Sequence, residues 1–169
     1  MNIKDLLTTF PRAGRVDWIG IRPEKRDPVS VVDAVEGSEK EGLIGDHYSG
    51  RSDGPANGKR HVTLIQAEHL AAIASYVGRD AVDPAELRRN IVVSGLNLLT
   101  LKGQMFQIGD VILEHTGECH PCTKMEIALG PGGYNAVRGH GGITARVIRG
   151  GVMRVGDAVL FLASGNPCH

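Results

Sequence analysis

The chain has 169 residues, of which 41% are hydrophobic and 22% are charged, so it is long enough for one globular domain with a substantial core. Its 19 basic and 19 acidic residues balance, which argues against nucleic acid or an anionic membrane as a partner and requires any positively charged site to be local. No stretch approaches the roughly 18 consecutive apolar residues of a membrane span, and the first residues do not resemble a signal peptide, so we expect a cytoplasmic protein.

Short segments rich in valine and isoleucine predict β-strands in the first half of the chain. They cover residues 15–21, 29–35, 61–65 and 90–94. Between the last two, apolar residues recur at helical spacing from Leu70 to Val77, and Gly78 is placed to end that helix. Asp83, followed by a proline and, three residues later, by Glu86, has the pattern of a capping box and predicts a second, short helix.

A Gly-Asp dipeptide separates two strand-forming runs at two places in the second half, within residues 106–113 and 153–160. Glycine at the first central position is what a type II′ turn requires, so each segment is predicted to form a β-hairpin. Two hairpins among so many short strands favour a sheet closed into a barrel, which has no exposed edge. The predicted fold class is therefore mainly β, a closed β-barrel with a few peripheral helices, in a single domain over residues 1–169 with its core at about 15–162.

The segment from Cys119 to Cys122 places two thiols three residues apart, directly after a predicted strand. A thiol acts as a nucleophile or metal ligand in its thiolate form, and His115, His120 and Lys124 lie close enough in sequence to favour that negative charge. Three hypotheses stay open. The cysteines are small buried side chains, or they bind zinc together with His115 or His120, or one of them holds a soft metal or carries sulfur while the other assists.

Two basic clusters are candidate anchors for a phosphorylated ligand, because an arginine side chain can form two parallel hydrogen bonds to phosphate. One is the run Arg88-Arg89-Asn90 before a predicted strand, and the other is formed by Lys59 and Arg60. Alternatively, Arg88 and Arg89 are solvated charges at the end of a helix, where cations are favoured. On the residues alone, this second interpretation is the simpler one.

A glycine-rich segment at residues 130–142 allows backbone amides to approach a ligand closely. It lacks the strand and helix context of a dinucleotide-binding loop and the lysine of a phosphate-binding loop. We therefore interpret it as a lid or as a loop that shields a cofactor. Within it, His140 is either a polar contact to that cofactor or a surface residue.

The order of these motifs resembles the MOSC domain family, named for the C-terminal domain of molybdenum cofactor sulfurase. The matching stretches are residues 42–46, 88–95, 103–109, 121–122 and 150–157, within a match that extends over nearly the whole chain. The resemblance implies a barrel like that of the pyruvate kinase β-barrel domain and the binding of a molybdenum cofactor, a pterin dithiolene that carries a phosphate. The His-Gly-Gly that many bacterial relatives carry before the central strand is missing from that place here, so substrate-side residues are not transferred.

In family members that act as reductases, a cysteine coordinates molybdenum, and Cys122 occupies the matching position. An Arg-Pro-Asn segment lies near the cofactor in the family; Arg88 and Asn90 match it, with Arg89 in place of the proline. Cys119, His120 and His115 are then expected to tune the thiolate and deliver protons. The candidate catalytic residues are Cys122, Cys119 and His120, and the candidate cofactor-binding residues are Arg88, Asn90, Lys59, Arg60 and His140.

The resulting hypothesis is a molybdenum-cofactor-binding oxidoreductase that reduces N-hydroxylated small molecules. Its electrons would come from a separate flavin or iron–sulfur protein, because the chain has no motif for either group. The alternative is a non-catalytic carrier that holds a persulfide on Cys122 or Cys119, and a third hypothesis is a thiol-based redox or zinc-binding module. The pyridoxal phosphate lysine site of the eukaryotic sulfurases has no counterpart in the sequence, so we expect no pyridoxal phosphate.

Overall fold

The computed structural model describes residues 1–47 and 60–163. Its strands are β1 (Gly14–Ile21), β2 (Ser30–Val32), β3 (Ala34–Ser38), β4 (Gly42–Leu43), β5 (Val62–Gln66), β6 (Ile91–Ser94), β7 (Met105–Ile108), β8 (Val111–Glu118), β9 (Ile143–Arg149), β10 (Gly151–Arg154) and β11 (Ala158–Leu162). Its helices are α1 (Ile3–Leu7), α2 (Ala67–Val77), α3 (Thr123–Leu129) and α4 (Gly133–Val137), with a 3-10 helix at Leu98–Leu101. Within these described residues, no helix combines the length and the apolar character that a bilayer crossing requires.

Seven strands close into a barrel in the order β11–β7–β8–β9–β5–β6–β1. The barrel closes where β1 meets β11, with Gly14 opposite Val159 and Arg15 opposite Ala158. β5 and β6 run parallel because α2 carries the chain from the end of one to the start of the other. The other pairs around the barrel are antiparallel. The predicted closed β-barrel with peripheral helices is confirmed.

Two hydrophobic clusters hold this architecture together. The larger one takes fully buried side chains from all seven barrel strands, such as Leu64 and Phe106. The smaller one lies where α2, α3 and α4 cover β5 and β6, and it includes Ile65, Ile73 and Val137. Leu64 and Ile65 are consecutive in β5 and belong to different clusters, because successive side chains of a strand point to opposite faces. β5 is therefore apolar on both faces.

A small second sheet, in the order β10–β3–β4, accompanies the barrel. The prediction of a single strand at residues 29–35 is therefore wrong. The chain bends at Asp33, so this region forms two strands in different sheets. β2 pairs with β1 of the barrel, whereas β3 pairs with β10.

The first predicted hairpin, at residues 106–113, is confirmed. Ile108 and Val111 pair across a two-residue turn, and Gly109 in that turn has a φ of +56°. A φ in this range is costly for residues other than glycine. The turn therefore depends on Gly109.

The second predicted hairpin, at residues 153–160, is wrong, because β10 pairs with β3 while β11 pairs with β7 and β1. A turn between them redirects the chain. Asp157 accepts a hydrogen bond from the Arg154 backbone N–H through Oδ2 at 2.8 Å, and the Gly156 N–H donates to the Val16 carbonyl at 2.8 Å. The turn at Gly156 and Asp157 thus connects β10 of the small sheet to β11 of the barrel.

The helix predicted between Leu70 and Val77 is confirmed as α2, and Gly78 ends it in the left-handed conformation with φ +75°. The short helix predicted at Asp83 is wrong. Its capping contacts do form, with Asp83 Oδ1 accepting from the Ala85 N–H at 2.9 Å, but the chain makes consecutive turns instead of a regular helix. Arg88 then adopts a left-handed φ of +59°, which ends any right-handed turn before β6.

Candidate functional site

A cavity of about 400 Å³ lies where β1 and β8 end and where β5, β6 and β9 begin. Residues at these strand ends line it, including Thr63, Asn90, Glu118 and Thr144. A cavity of this size lies within the range that small-molecule ligands occupy.

The thiol segment, residues 119–122, contributes to the lining of this cavity. It connects the end of β8 to the start of α3, with the Cys119 N–H donating to the Gly142 carbonyl at 2.9 Å. Cys119 is half-buried, Cys122 is exposed, and both are free thiols. The hypothesis that both are buried packing residues is therefore wrong. Cys119, His120 and Cys122 line one cavity.

The part of the chain that the structure describes contains no set of ligands for the hypothesised zinc ion. There, no three side chains among histidine, cysteine, aspartate and glutamate come together in a way that could hold a metal ion. Structural zinc sites normally have four such ligands. His115, offered as one of them, is also missing from the described lining of the cavity.

The cavity is strongly cationic although the chain as a whole is neutral. Its described charged lining consists of Arg22, Lys25, Arg60, Arg88, Arg89, Lys124, Asp46 and Glu118. Six basic groups against two acidic ones leave a surplus of four positive charges. A concave surface with such a surplus favours an anionic ligand. The positive charge is therefore local, and Arg60 and Arg88 line the same cavity as the thiols.

Asn90 lies in the cavity lining, with its side-chain amide engaged by the protein itself. Oδ1 accepts hydrogen bonds from the Thr63 backbone N–H at 3.0 Å and from the Thr63 hydroxyl at 3.1 Å. Nδ2 donates to the Gly20 carbonyl at 3.1 Å. Asn90 thus ties β1 and β5 to the start of β6, and it holds this part of the wall in position.

The neighbouring arginines differ in their environment. Arg88 is half-buried and donates from Nη2 to the Lys25 carbonyl at 3.0 Å. Arg89 is buried; its Nε donates to the Gly141 carbonyl at 2.8 Å and its Nη1 to the Leu87 carbonyl. The interpretation of both as solvated helix-end charges is therefore wrong for Arg89.

A buried polar cluster that the sequence did not reveal forms another part of the lining. Asp46 Oδ1 accepts a hydrogen bond from the Arg22 backbone N–H at 2.8 Å, and Asp46 Oδ2 lies 3.7 Å from His47 Nδ1. His47 Nε2 lies 3.4 Å from Arg22 Nη2 and accepts from it, since a guanidinium can only donate. Asp46 is part of a matching family stretch, but Arg22, which it contacts across 24 positions, carries no local signal.

Two described candidate residues, His115 and His140, are not among the residues that line the cavity. His115 lies on the same face of β8 as the buried Val111 and Leu113, and burial lowers its pKa below the ordinary 6.5. His140 packs edge-on against His69 of α2, with ring centres 4.9 Å apart. Lys59 lies outside the described residues.

The glycine-rich segment is a packed part of the structure, because it contains α4, in which Ala136 and Val137 are buried. A Cβ at Gly141 would collide with the Cys119 carbonyl, and one at Gly142 would collide with the Leu64 carbonyl. The segment is therefore not a loop throughout, and the interpretation of residues 130–142 as a lid or cofactor shield stays a prediction. Its end, at Gly141 and Gly142, packs against the backbone of the thiol segment and of β5.

Comparison with known proteins gives a consistent result. The family model of the MOSC domain matches residues 28–160. The fold is similar to that of the YuaD protein from Bacillus subtilis, with a TM-score of 0.76 and 21% identity over 88% of this chain and 94% of that one. It is also similar to YiiM from Geobacillus stearothermophilus (TM-score 0.71, 16% identity, 90% and 76% covered) and to YiiM from Escherichia coli (0.68, 18%, 93% and 73%). No curated protein matches the sequence. At such low identity, the solved structures establish the fold alone.

Proposed function

Because this chain belongs to the MOSC domain family, we propose that it is a molybdenum-cofactor-binding oxidoreductase that reduces N-hydroxylated small molecules. The observation that carries the proposal is the presence of an exposed thiol, Cys122, in the same cavity as a cationic wall. A thiolate is a soft ligand suited to a transition metal. The wall complements a phosphate.

The residues of the cavity fit a cofactor that combines a soft metal with a phosphate group. Cys122 would bind the molybdenum, while Arg88 and Arg60 would hold the pterin phosphate, with Lys59 adjoining Arg60 in the sequence. When bound, the cofactor supplies two-electron chemistry at its metal. Asn90 would act by holding the wall, since its amide is already bonded to the protein.

The proposed net reaction consumes an N-hydroxylated substrate, two electrons and two protons, and it yields the reduced nitrogen compound and one water. The N–O bond breaks, the substrate nitrogen is reduced, and a separate flavin or iron–sulfur protein is oxidised. His120 lies in the cavity lining next to the two thiols. We assign it the delivery of protons, for which an imidazole is suited near neutral pH.

The test is metal and pterin analysis of the protein expressed in a host that makes the cofactor. We expect stoichiometric molybdenum in the wild type and loss of most of it in Cys122→Ser, because a hydroxyl replaces the soft sulfur ligand. Cys119→Ser is the matched control in the same segment, and it should keep most of its molybdenum. Metal-free wild-type protein from a competent host, or equal molybdenum in Cys122→Ser, would contradict the proposal.

A second candidate function is sulfur transfer, because an exposed free thiol can also accept sulfur without any metal. Cys122 would then hold a persulfide for delivery to a metallosulfur centre. Incubation with a cysteine desulfurase and cysteine should add the mass of one sulfur atom, removable by cyanide, and Cys122→Ser should abolish the adduct. A wild-type mass that does not change would count against this function.

A further inference from the structure

A second depression, an open groove of about 770 Å³, adjoins the cavity. Three segments form it: residues 22–29, which follow β1, the turns around residues 85–88, and the helix α3. The groove and the cavity share four basic residues, which are Arg22, Lys25, Arg88 and Lys124. Lys124 follows Cys122 by two residues, so the groove begins next to the exposed thiol.

Hydrogen bonds hold the three walls of the groove together. The Lys25 carbonyl accepts from Arg88 Nη2 at 3.0 Å, which joins the first segment to the turns. Arg79 joins the turns to α3, because its Nη1 lies 3.2 Å from Glu86 Oε1 and its Nη2 donates to the Ala128 carbonyl at 3.3 Å. The groove is therefore formed before any partner binds.

The exposed charge of the groove is positive. Five basic side chains face two acidic ones in its described lining, which leaves a surplus of three positive charges. Lys25, Arg26 and Lys124 are exposed, and no ion pair among the described residues includes them. Of the two acidic groups, Glu86 is already paired with Arg79. The three cations are therefore available to the acidic groups of a partner.

An apolar side chain lies among these cations. Ile127 is 81% exposed, although α3 buries Met125 and Leu129 against the rest of the protein. Pro28 and Val29 add apolar surface from the first segment. An apolar centre within a charged rim is the usual anatomy of a protein–protein interface. The groove thus suits a protein better than it suits a small anion, which would gain nothing from Ile127.

We propose that the groove is the docking surface for an acidic electron-transfer protein that carries a flavin or an iron–sulfur cluster. The inference rests on the proposed function, which requires a separate electron donor and leaves its binding place unassigned. Electron-transfer complexes are small and transient, and opposite charges on the two surfaces steer the proteins together. A partner in the groove would lie beside the cavity, since Lys124 lines both depressions. Two reduced one-electron donors, each oxidised once, would supply the two electrons that the proposed reaction consumes.

The experiment measures, by surface plasmon resonance, the binding of the full chain to a plant-type ferredoxin with a two-iron cluster and to a flavodoxin, both acidic proteins. We expect both to bind at about 0.02 M salt and much more weakly at about 0.3 M, because salt screens exposed charges. Arg26→Glu and Ile127→Ser should each weaken binding at least about tenfold, since one reverses a charge and the other removes the apolar contact. The matched controls, Arg154→Glu and Leu7→Ser, change exposed residues outside the groove lining and should stay within about twofold of the wild type.

Wild-type protein that binds neither acidic protein would overturn the proposal, and so would equal losses of affinity in the controls and in the groove variants. A single-stranded DNA oligonucleotide distinguishes a protein partner from nucleic acid. If the oligonucleotide binds in a way that depends on Arg26 while neither protein binds, the groove belongs to nucleic acid and the proposal is refuted. The four substituted residues are exposed, so the variants should fold, which circular dichroism checks.

The outcome is separable from that of the proposed function. In molybdenum-loaded protein, Arg26→Glu should slow the reduction of N-hydroxybenzamidine by reduced ferredoxin at least about tenfold. It should leave the rate with reduced methyl viologen unchanged, because this small reductant needs no docking surface. Equal slowing with both donors would refute this inference and leave the oxidoreductase intact. Binding that depends on Arg26 and Ile127, in a chain that never acquires molybdenum, would support an acidic partner at the groove and count against the oxidoreductase.

Discussion

A single side chain, that of Asn90, connects three strands of the barrel at the edge of the cavity. Its amide bonds the Thr63 backbone N–H, the Thr63 hydroxyl and the Gly20 carbonyl. The Thr63 hydroxyl in turn accepts from the Asn90 backbone N–H at 3.0 Å. This reciprocal arrangement fixes β5 to the start of β6, so the cavity wall depends on it.

We therefore predict that Asn90→Ala lowers the free energy of unfolding by about 2–3 kcal/mol, because it leaves the Thr63 N–H and the Gly20 carbonyl without partners. Urea unfolding followed by circular dichroism measures the change. Asn135→Ala is the matched control; Asn135 is exposed and bonds only the Arg138 side chain among the described residues, so about 0.5 kcal/mol or less is expected. An unchanged midpoint for Asn90→Ala would show that Asn90 does not hold the wall.

Individual site residues were predictable from sequence where the chain itself places them side by side. Cys119, His120 and Cys122 are contiguous, so the prediction of a shared site needed no tertiary information. The role of Asn90 was not predictable, because its partner Gly20 is 70 positions away. The buried state of Arg89 was missed for the same reason, since it depends on Gly141, 52 positions later.

At the scale of secondary structure elements, the segment after α4 determines where the thiol segment lies. Gly142 packs against the backbone of β5 with a φ of +91°, and its carbonyl accepts the Cys119 N–H. Both the left-handed φ and the lack of a side chain are required there. Gly139 also has a positive φ, +77°, but nothing lies within 4 Å of a Cβ at that position.

This contrast predicts different costs for two alanine substitutions. Gly142→Ala should lower the free energy of unfolding by about 3–5 kcal/mol, because backbone strain adds to a collision with the Leu64 carbonyl. Gly139→Ala should cost about 1–2 kcal/mol, since it adds the strain alone. Guanidinium unfolding curves compare the two variants. Equal costs would mean that close packing at Gly142 does not constrain the segment.

Elements with strong local signals were predicted correctly. α2 has an apolar face and a terminating glycine, and the hairpin at Gly109 has its turn and both strands within eight residues. The hairpin at residues 153–160 failed because a turn dipeptide does not determine which strands pair beyond it. The strands before and after that turn pair with β3 and β7, which lie elsewhere in the chain, so the local sequence does not reveal the pairing.

For the molecule as a whole, two histidines whose pKa values are lowered in the folded chain link stability to pH. Burial lowers the pKa of His115 below 6.5, which outweighs the opposing effects of its backbone hydrogen bond and of Glu118. Burial, with a contribution from Arg146, likewise lowers the pKa of His61. His61 Nδ1 accepts from the Val147 backbone N–H at 3.2 Å, and protonation would abolish this bond.

Because these pKa values are lower in the folded chain than in the unfolded one, the unfolded chain binds more protons just below pH 6.5. The free energy of unfolding should therefore be fully present above that pH and fall as the pH drops towards the folded-state pKa values. Urea unfolding at about pH 7.5 and about pH 5.5 measures this. His115→Gln should show a smaller fall than the wild type, whereas a wild type equally stable at both pH values would contradict the argument.

The barrel and the MOSC family were both predictable from sequence, because closed sheets and family stretches leave signals along the whole chain. The small second sheet was not, since β3, β4 and β10 are short and carry no pattern that separates them from barrel strands. From the sequence, only two short basic clusters, one at residues 88–89 and one at residues 59–60, were predicted as anchors for an anion. The extent of the cationic cavity depends on Arg22 and Lys25, which the fold brings to Arg88 and Lys124.

The seam between β1 and β11 joins residues near position 15 to residues near position 158. During synthesis on the ribosome, a nascent chain cannot complete its ring of hydrogen bonds until this last strand has emerged. Until then β1 and β7 each keep an unpaired edge, which other chains can pair with. Translation pauses or truncations before residue 158 should therefore promote aggregation. The edges of β1 and β7 stay open to other chains until β11 pairs with both strands.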